Sequence, residues 1–591
     1  VDGWRFRYEG TFTTLAYISS VASLWRFPEM LLKHGGAFVL HYTIAYIAVG
    51  MPLLYAEIAI GQYTSCNHYG VFSHIAPILT GLASCMTFIL LIRSCVVSVI
   101  QATTFAFLLA TFHGHQYEKG ETTCLGVNHS PQCFNSDVLM DCIHNGTDKF
   151  EECNKLERVS LLSVSSQLRR TPFFDHILTE FTVLPQESSE YDWPHHLFFV
   201  SLLFVWVTIA AISFVGIKAL AKLSYLMVIP ILTFLLFLIF GFASIPNASR
   251  AFKAFHFRDF HFDLMNFNEI WTDAVSLVVF SLNLGNGGLI KLASHNHFTH
   301  MFTRDVNIIS VYGYLFNYLT TLTILPYVYF LSTELYGGDD SNAMQLWVDH
   351  GDFGLMNVIA ETITSQNAKK GWLCALYFIA CFILEFESTS ISMYVVYSSL
   401  MDRLNSNSLF TRLITSIILS GSAFFTSFFL ITPGGIYVIK QLDRFFTIAT
   451  IFTAFAQICA FMHIYGFQRF IINVRTMIGG SGPVNKFWWI SWIIFTPIVL
   501  LAAFIMECIC YSWDEISIGN LILTDKLKNF SWLIFVCCTL WFPTAAIYRL
   551  AKSITMNEKK MKLLKSTPEW GPADERARED AKFNERAMRV R

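Results

Sequence analysis

Apolar residues run along this chain in long stretches separated by polar breaks, and a stretch of about 20 mostly apolar residues is enough to cross a bilayer as a helix. Read this way, the sequence predicts spans near 11–34, 37–61, 80–112, 196–215, 222–245, 271–294, 306–332, 371–401, 410–430, 440–467, 486–508 and 530–551. The prediction is an all-α polytopic membrane protein of about twelve transmembrane helices. A short segment at 1–10 precedes a core at 11–551, whose longest polar interruptions fall at 114–195 and 333–370, and a tail follows at 552–591.

Two spans are interrupted by small residues. Span one holds Ser19-Ser20-Val21-Ala22-Ser23, and span six holds Asn283-Leu284-Gly285-Asn286-Gly287-Gly288. A helix that opens there exposes carbonyls for cations and N-termini for anions, and such a break is tolerated only where it lines a cavity. A site between the two is one reading; close helix packing by small residues is the other. Arg26 and Glu57 add weight to the first, because a charge in an apolar span costs roughly 2.5–3.5 kcal/mol on insertion scales and needs a partner or a watery cavity.

Composition agrees with the pattern. The 591 residues are 54% hydrophobic and only 14% charged, with a mean hydropathy of +0.47, too apolar for a soluble globule. Lys552, Lys559, Lys560, Lys562 and Lys565 follow the last span, and a basic flank marks the cytosolic side. With an even number of spans, both termini are expected in the cytosol. The 114–195 loop then lies outside the cell, where Cys124, Cys133, Cys142 and Cys153 can form disulfides in any of three pairings and the sequons at Asn128 and Asn145 can be glycosylated. Sequons at Asn247 and Asn529 also fall on predicted outer loops. The basic tail fits a protein partner or anionic lipid, or a solvated disordered segment. The chain opens at Val1 without an initiator Met or a cleavable signal pattern, which leaves the true N-terminus open.

The block SVASLWRFPEMLLKHGGAFVLHYTIAYIAVGMPLLYAEIAIGQ (20–62) resembles the first two spans of neurotransmitter:sodium symporters. Trp4, GIKALAKLSYLMVIP (216–230), FSLNLGNGGLIKLASHN (280–296), GGIYVIKQLD (434–443), and IYGFQRF (464–470) with FWWISWIIFTP (487–497) extend the likeness in the family's order. The resemblance implies two five-helix inverted repeats, with spans one and six broken, plus two further helices, in the plasma membrane. It implies sodium-coupled transport of a small-molecule substrate by alternating access. It places the substrate against Tyr17, Ser20, Ala22, Arg93, Val97, Phe280, Asn283, Gly285 and Ser388. Arg26 and Asp443 match the outer gate under the Phe280 lid. Asp402 matches the inner gate, whose arginine partner would fall at Val1. Glu57 is assigned to holding the broken helices.

The carried-over ion sites are uneven. The second sodium site keeps Ala16, Ser19, Leu384 and Ser388, with Glu387 as its acid. Of the first sodium site, Ser281 remains, Ser23 stands for an Asn, and another Asn aligns with Gly313. The chloride site keeps Tyr42 and Ser281, while its Gln aligns with Leu277 and its later Ser with Asn317, so chloride coupling of the usual kind is not expected. Val97 replaces the Tyr that holds the substrate carboxylate, and Arg93 stands one turn earlier. Two readings of Arg93 follow: it binds that carboxylate, or it closes an ion pair with Glu385 or Glu387 that fills the pocket. Ser20 stands where monoamine carriers have Asp, which favours an amino acid or related zwitterion; Glu385 offers an alternative partner for an amine. No Walker loop, kinase set, zinc spacing or nucleophile elbow points to an enzyme, and nucleic acid is not an expected partner. The rival reading is a transport-poor protein of this fold acting as a sensor or binding a partner.

Overall fold

The computed structural model describes residues 3–6, 8–20, 22–112, 196–245, 248–257, 267–336, 358–360, 362–363, 371–404, 408–431, 435–479, 486–513, 517–518, 521–522, 525–555 and 560–589. Among these, ten helices are long and apolar enough to cross a membrane: Ala37–Thr64, Pro77–Leu109, Leu197–Val215, Ile217–Ser244, Phe302–Phe330, Trp372–Leu404, Leu409–Ile431, Gln441–Ile464, Lys486–Ile509 and Trp532–Thr555. The other two predicted spans are each split, one into Glu9–Ile18 and Ala22–His34, the other into Phe267–Ser281 and Gly288–Ala293. A two-residue ribbon pairs Ser517–Ile518 with Leu521–Ile522.

The breaks have local causes. In span one the Leu15 carbonyl accepts both the backbone N–H and the hydroxyl of Ser19, and Ser19 turns extended at φ −82° and ψ 107°. A serine that bonds its own helix competes with helix continuation. In span six Asn283, Gly285 and Gly287 adopt left-handed φ values of 51°, 74° and 77°, which Gly takes freely and Asn more readily than most residues. Glycines of this run also pack closely: a Cβ on Gly288 would fall 2.3 Å from the Tyr17 hydroxyl, and one on Gly285 2.9 Å from the Ala454 nitrogen. The two readings of the small-residue runs are thus both realised in span six.

Prolines shape two further helices. Pro52 has no N–H to return to the Ala48 carbonyl, and residues Tyr46–Gly50 widen into a π-helical turn. A matching turn, Ser491–Phe495, lies opposite. From it Ser491 Oγ (2.8 Å) and Thr496 Oγ1 (3.2 Å) donate to the Ala48 carbonyl, while Trp492 Nε1 donates to Pro52 O at 2.8 Å.

Outward faces carry exposed large apolar residues such as Leu232, Ile239, Ile417 and Ile418, a surface that suits acyl chains rather than water. The fifth span begins at Ile217 rather than 222, because the segment read as a loop forms helix Ile217–Leu223 and a 3-10 turn, Ser224–Met227. Asn529 lies in helix Asp525–Thr555 rather than in a loop. The tail is folded where disorder was one expectation: helix Glu575–Arg589 packs back on the helices around Tyr465. The four loop cysteines, the sequons at Asn128, Asn145 and Asn247, and most of 333–370 lie outside the described residues.

Removing both hydroxyls at the facing bulges, Ser491→Ala with Thr496→Ala, leaves the partly buried Ala48 carbonyl without these donors. The expected cost is about 1–3 kcal/mol, read as a lower midpoint of thermal unfolding in detergent, while either single substitution costs less because the other donor remains.

Candidate functional site

The two breaks meet around the Tyr17 carbonyl. Asn283 Nδ2 donates to it at 2.6 Å from span six and Ser388 Oγ at 3.1 Å from span eight. Glu57, fully buried, accepts the Gly285 backbone N–H at 2.8 Å, so the carboxylate supplies the acceptor that the interrupted helix lost. Above this junction lies a cavity of about 40 Å³ lined by Ser20, Arg93, Val97, Phe280, Asn283, Glu385, Ser388 and Asp443. At roughly 10–15 Å³ per water it has room for a few solvent molecules. Ala22 opens the second half of span one.

Two guanidinium groups flank the ring of Phe280, which lines the cavity. Arg26 pairs with Asp443 and donates to Thr447 Oγ1 at 3.3 Å. Its Cζ lies 3.5 Å from the Phe280 ring centre, and that of Arg93 lies 4.1 Å from the same centre. Cations over an aromatic face are attracted by its quadrupole, the more so when desolvated. Arg93 lies within electrostatic reach of Asp443 and Glu385, and its Nη1 has no hydrogen-bond acceptor among the described residues.

The residues carried to the second sodium site are buried together: Ala16, Ser19, Leu384 and Glu387 have no exposed surface, and Ser388 is 7% exposed. Neither oxygen of Glu387 has a hydrogen-bond partner among the described residues. An ionised carboxylate left like this is strongly disfavoured, and the donor set, one carboxylate with backbone carbonyls and hydroxyls, fits a hard cation such as sodium. Tyr312, which the sequence reading missed, lies beside it, 2.8 Å from Ser19 Oγ and within electrostatic reach of Glu387.

The first sodium and chloride positions are knitted into the protein's own contacts. The Ser23 carbonyl accepts Thr320 Oγ1 at 3.0 Å. At Gly313 a Cβ would fall 2.9 Å from the Tyr46 hydroxyl and 3.2 Å from Ile18 and Leu282. Asn317 Nδ2 donates to the Tyr42 hydroxyl at 2.9 Å, and that hydroxyl lies 3.3 Å from Ser281 Oγ. Leu277 is buried and offers no polar group.

Asp402, matched to the inner gate, accepts Asn67 Nδ2 at 2.5 Å and faces the charge of Lys291; Val1 lies outside the described residues. Asn67 and Lys291 were not singled out from the sequence, although a lysine inside GLIKLA is a visible signal. At the end of the second half of span one, His34, Glu269 and Asp273 bring ligand atoms within 4.8 Å of one another. There the Lys33 ammonium bonds both Glu269 (2.6 Å) and Asp273 (3.0 Å), so the two carboxylates already share a cation.

A helical membrane core with two interrupted spans, joined by buried polar contacts around a central cavity, defines a transporter rather than an enzyme. The chain matches the sodium:neurotransmitter symporter family over residues 2–553 and belongs to it. It is 23% identical over 586 residues to the sodium- and chloride-dependent glycine transporter 2 of Xenopus laevis, covering 96% of this chain and 72% of that one. It is 22% identical to the human sodium- and chloride-dependent neutral and basic amino acid transporter B(0+), covering 96% and 89%. It is 24% identical to the sodium-dependent nutrient amino acid transporter 1 of Drosophila grimshawi, covering 97% and 87%. The chain is thus a multi-pass membrane protein of a sodium-coupled symporter family.

His68, in the short helix after span two, gives this core a pH limit. Its ring lies against Gly287, where a Cβ would come within 2.6 Å, and its Nε2 is 2.8 Å from Thr87 Oγ1. Burial, with Lys291 and Arg403 nearby, pushes its pKa down to about 3. The unfolded chain takes up this proton near pH 6.5, so stability is full above that value and falls as pH drops toward 3, with a slope approaching about 1.4 kcal/mol per pH unit. Thermal unfolding of His68→Gln should show a shallower loss between pH 6.5 and 4 than the parent; equal slopes count against the assignment.

Proposed function

We propose that the chain carries a small amino acid or related zwitterion with sodium, by alternating access around the junction of spans one and six. The observation that carries this reading is Arg93, buried in the cavity wall and stacked on Phe280 with its Nη1 lacking an acceptor among the described residues, where it can take a substrate carboxylate. Glu385 and the hydroxyls of Ser20 and Ser388 line the same cavity and suit an ammonium group. The relatives named for glycine and for neutral, basic or nutrient amino acids support the substrate class.

Sodium is assigned to the second site, where it neutralises Glu387. Binding there favours the outward-open form, and substrate lets Phe280 and the Arg26–Asp443 pair close over it; only differential affinity between the two states drives that shift. The first sodium site is weak in this reading, since Gly313 offers no ligand and its surroundings are filled. The resting place is the plasma membrane with both termini cytosolic, supported by the basic residues after the last span. Uptake of a radiolabelled amino-acid panel with and without sodium tests the whole reading. Sodium-independent uptake removes the coupling, and no uptake under any condition favours the sensor alternative.

Two substitutions sharpen it. Arg93→Leu removes the charged carboxylate partner, worth about 1.5–3 kcal/mol, and should weaken apparent substrate affinity about 10- to 100-fold; gained uptake would instead mark Arg93 as a plug. Asn317 fills the anion position with an amide that bonds Tyr42, so replacing chloride by gluconate should leave wild-type uptake unchanged. Asn317→Ser, which frees Tyr42, should make uptake sensitive to chloride.

A further inference from the structure

The tail after the last span forms a strap across the cytosolic side. Thr567 N donates to the His74 carbonyl at 2.9 Å. Trp570 is 6% exposed, donates from Nε1 to the Tyr465 hydroxyl at 3.1 Å, and packs against Tyr63 and Tyr465 with ring centres 5.9 and 4.9 Å away. Helix Glu575–Arg589 then returns Glu585 to the Arg469 guanidinium, 3.3 Å from Nε and 3.1 Å from Nη2, and to Asn473 Nδ2 at 3.1 Å. The strap therefore ties the turn after span two to the segment after span ten.

Arg469 uses only one edge on Glu585. Its outer edge faces a neutral group: Nη1 and Nη2 each lie 3.4 Å from Ser566 Oγ. A guanidinium edge with two equidistant donors matches the oxygens of a phosphate monoester, which it grips in a bidentate manner. Ser566 is half-exposed, with Leu564, Lys565, Pro568 and Glu569 exposed around it, and Lys562 and Lys565 precede it in a setting that suits a basic-directed enzyme. The hydroxyl of neighbouring Thr567 is buried without a partner and faces inward.

We propose that Ser566 is a phosphorylation site and that its phosphate docks on the Nη1/Nη2 edge of Arg469, locking the tail against the transporter core. A protein kinase acting with a nucleoside triphosphate forms the bond from Ser566 Oγ to the γ-phosphorus and breaks the bond from that phosphorus to the β–γ bridging oxygen. The nucleoside diphosphate leaves, and the hydroxyl proton passes to the kinase's base. The added charge of about −1.5 to −2 replaces two long neutral contacts by charge-assisted ones. Arg469 keeps Glu585 on its other edge, and exposed Lys562 and Lys565 offset the excess charge. The proposal rests on the cytosolic placement of the tail and is independent of which substrate is carried.

The test uses the full-length chain in lipid nanodiscs, with phosphoserine installed at 566 by genetic encoding and limited tryptic cleavage of 576–589 followed by mass spectrometry. Phosphorylation should slow cleavage about tenfold, the scale expected for new charge-assisted contacts at a partly exposed site. Because Arg469→Gln also loses Glu585 and loosens the tail by itself, the phosphorylated and unmodified forms are compared within that variant, where the slowing should vanish. Unchanged or faster cleavage of the phosphorylated parent, or equal slowing in Arg469→Gln, overturns the docking. Phosphopeptide mapping of the chain expressed in phosphatase-inhibited eukaryotic cells should find the group on Ser566; its absence there, or its presence on Thr567 alone, overturns the site. None of these readouts uses transport, so failure of the symport reading would leave them interpretable.

Discussion

A helix that stops inside a membrane leaves backbone groups that no water can reach, and the centre of this protein is organised by how those groups are satisfied. Glu57 takes the Gly285 N–H, and the Tyr17 carbonyl takes Asn283 and Ser388. These contacts join spans one, two, six and eight at one level of the fold. The cavity is where the breaks meet, and the irregular backbone there is surrounded by protein.

The same accounting recurs away from the cavity. Pro52 orphans the Ala48 carbonyl, and hydroxyls from the opposing turn at Ser491–Phe495 satisfy it. Span two is thereby fixed to the eleventh span at the level where it must also present Glu57 one turn further on. Local sequence imposes a defect on one helix, and another helix supplies the remedy.

Charge is distributed on a related principle. Arg26 with Asp443, Lys33 with Glu269 and Asp273, and Arg469 with Glu585 are pairs that close on themselves at the two faces of the protein. Arg93 Nη1 and both oxygens of Glu387 sit deeper and lack a hydrogen-bond partner among the described residues. Buried polar groups left this way can be met from outside the chain, so a zwitterion at the first and a sodium ion at the second form a consistent pair of assignments.

Much of the architecture was legible in the sequence. The apolar runs place ten continuous spans and two interrupted ones, because spanning length and the intolerance of bare backbone in lipid are properties of the chain alone. Asn283, Gly285 and Gly287 announced the span-six break because few other residues take left-handed φ cheaply. What tertiary structure alone decided is which groups meet. Arg93 and Glu385 lie on different helices, and sequence offered an ion pair with Glu385 or Glu387 and a guanidinium that binds the substrate carboxylate as alternatives; packing of spans three and six stacks Arg93 on Phe280. Tyr312 and Asn67 gained roles only by proximity to Ser19 and Asp402, and the tail folded because Trp570 and Glu585 found Tyr465 and Arg469, residues about 100 positions earlier. Contacts at such separation depend on how helices cross, and periodicity along a chain carries no record of that.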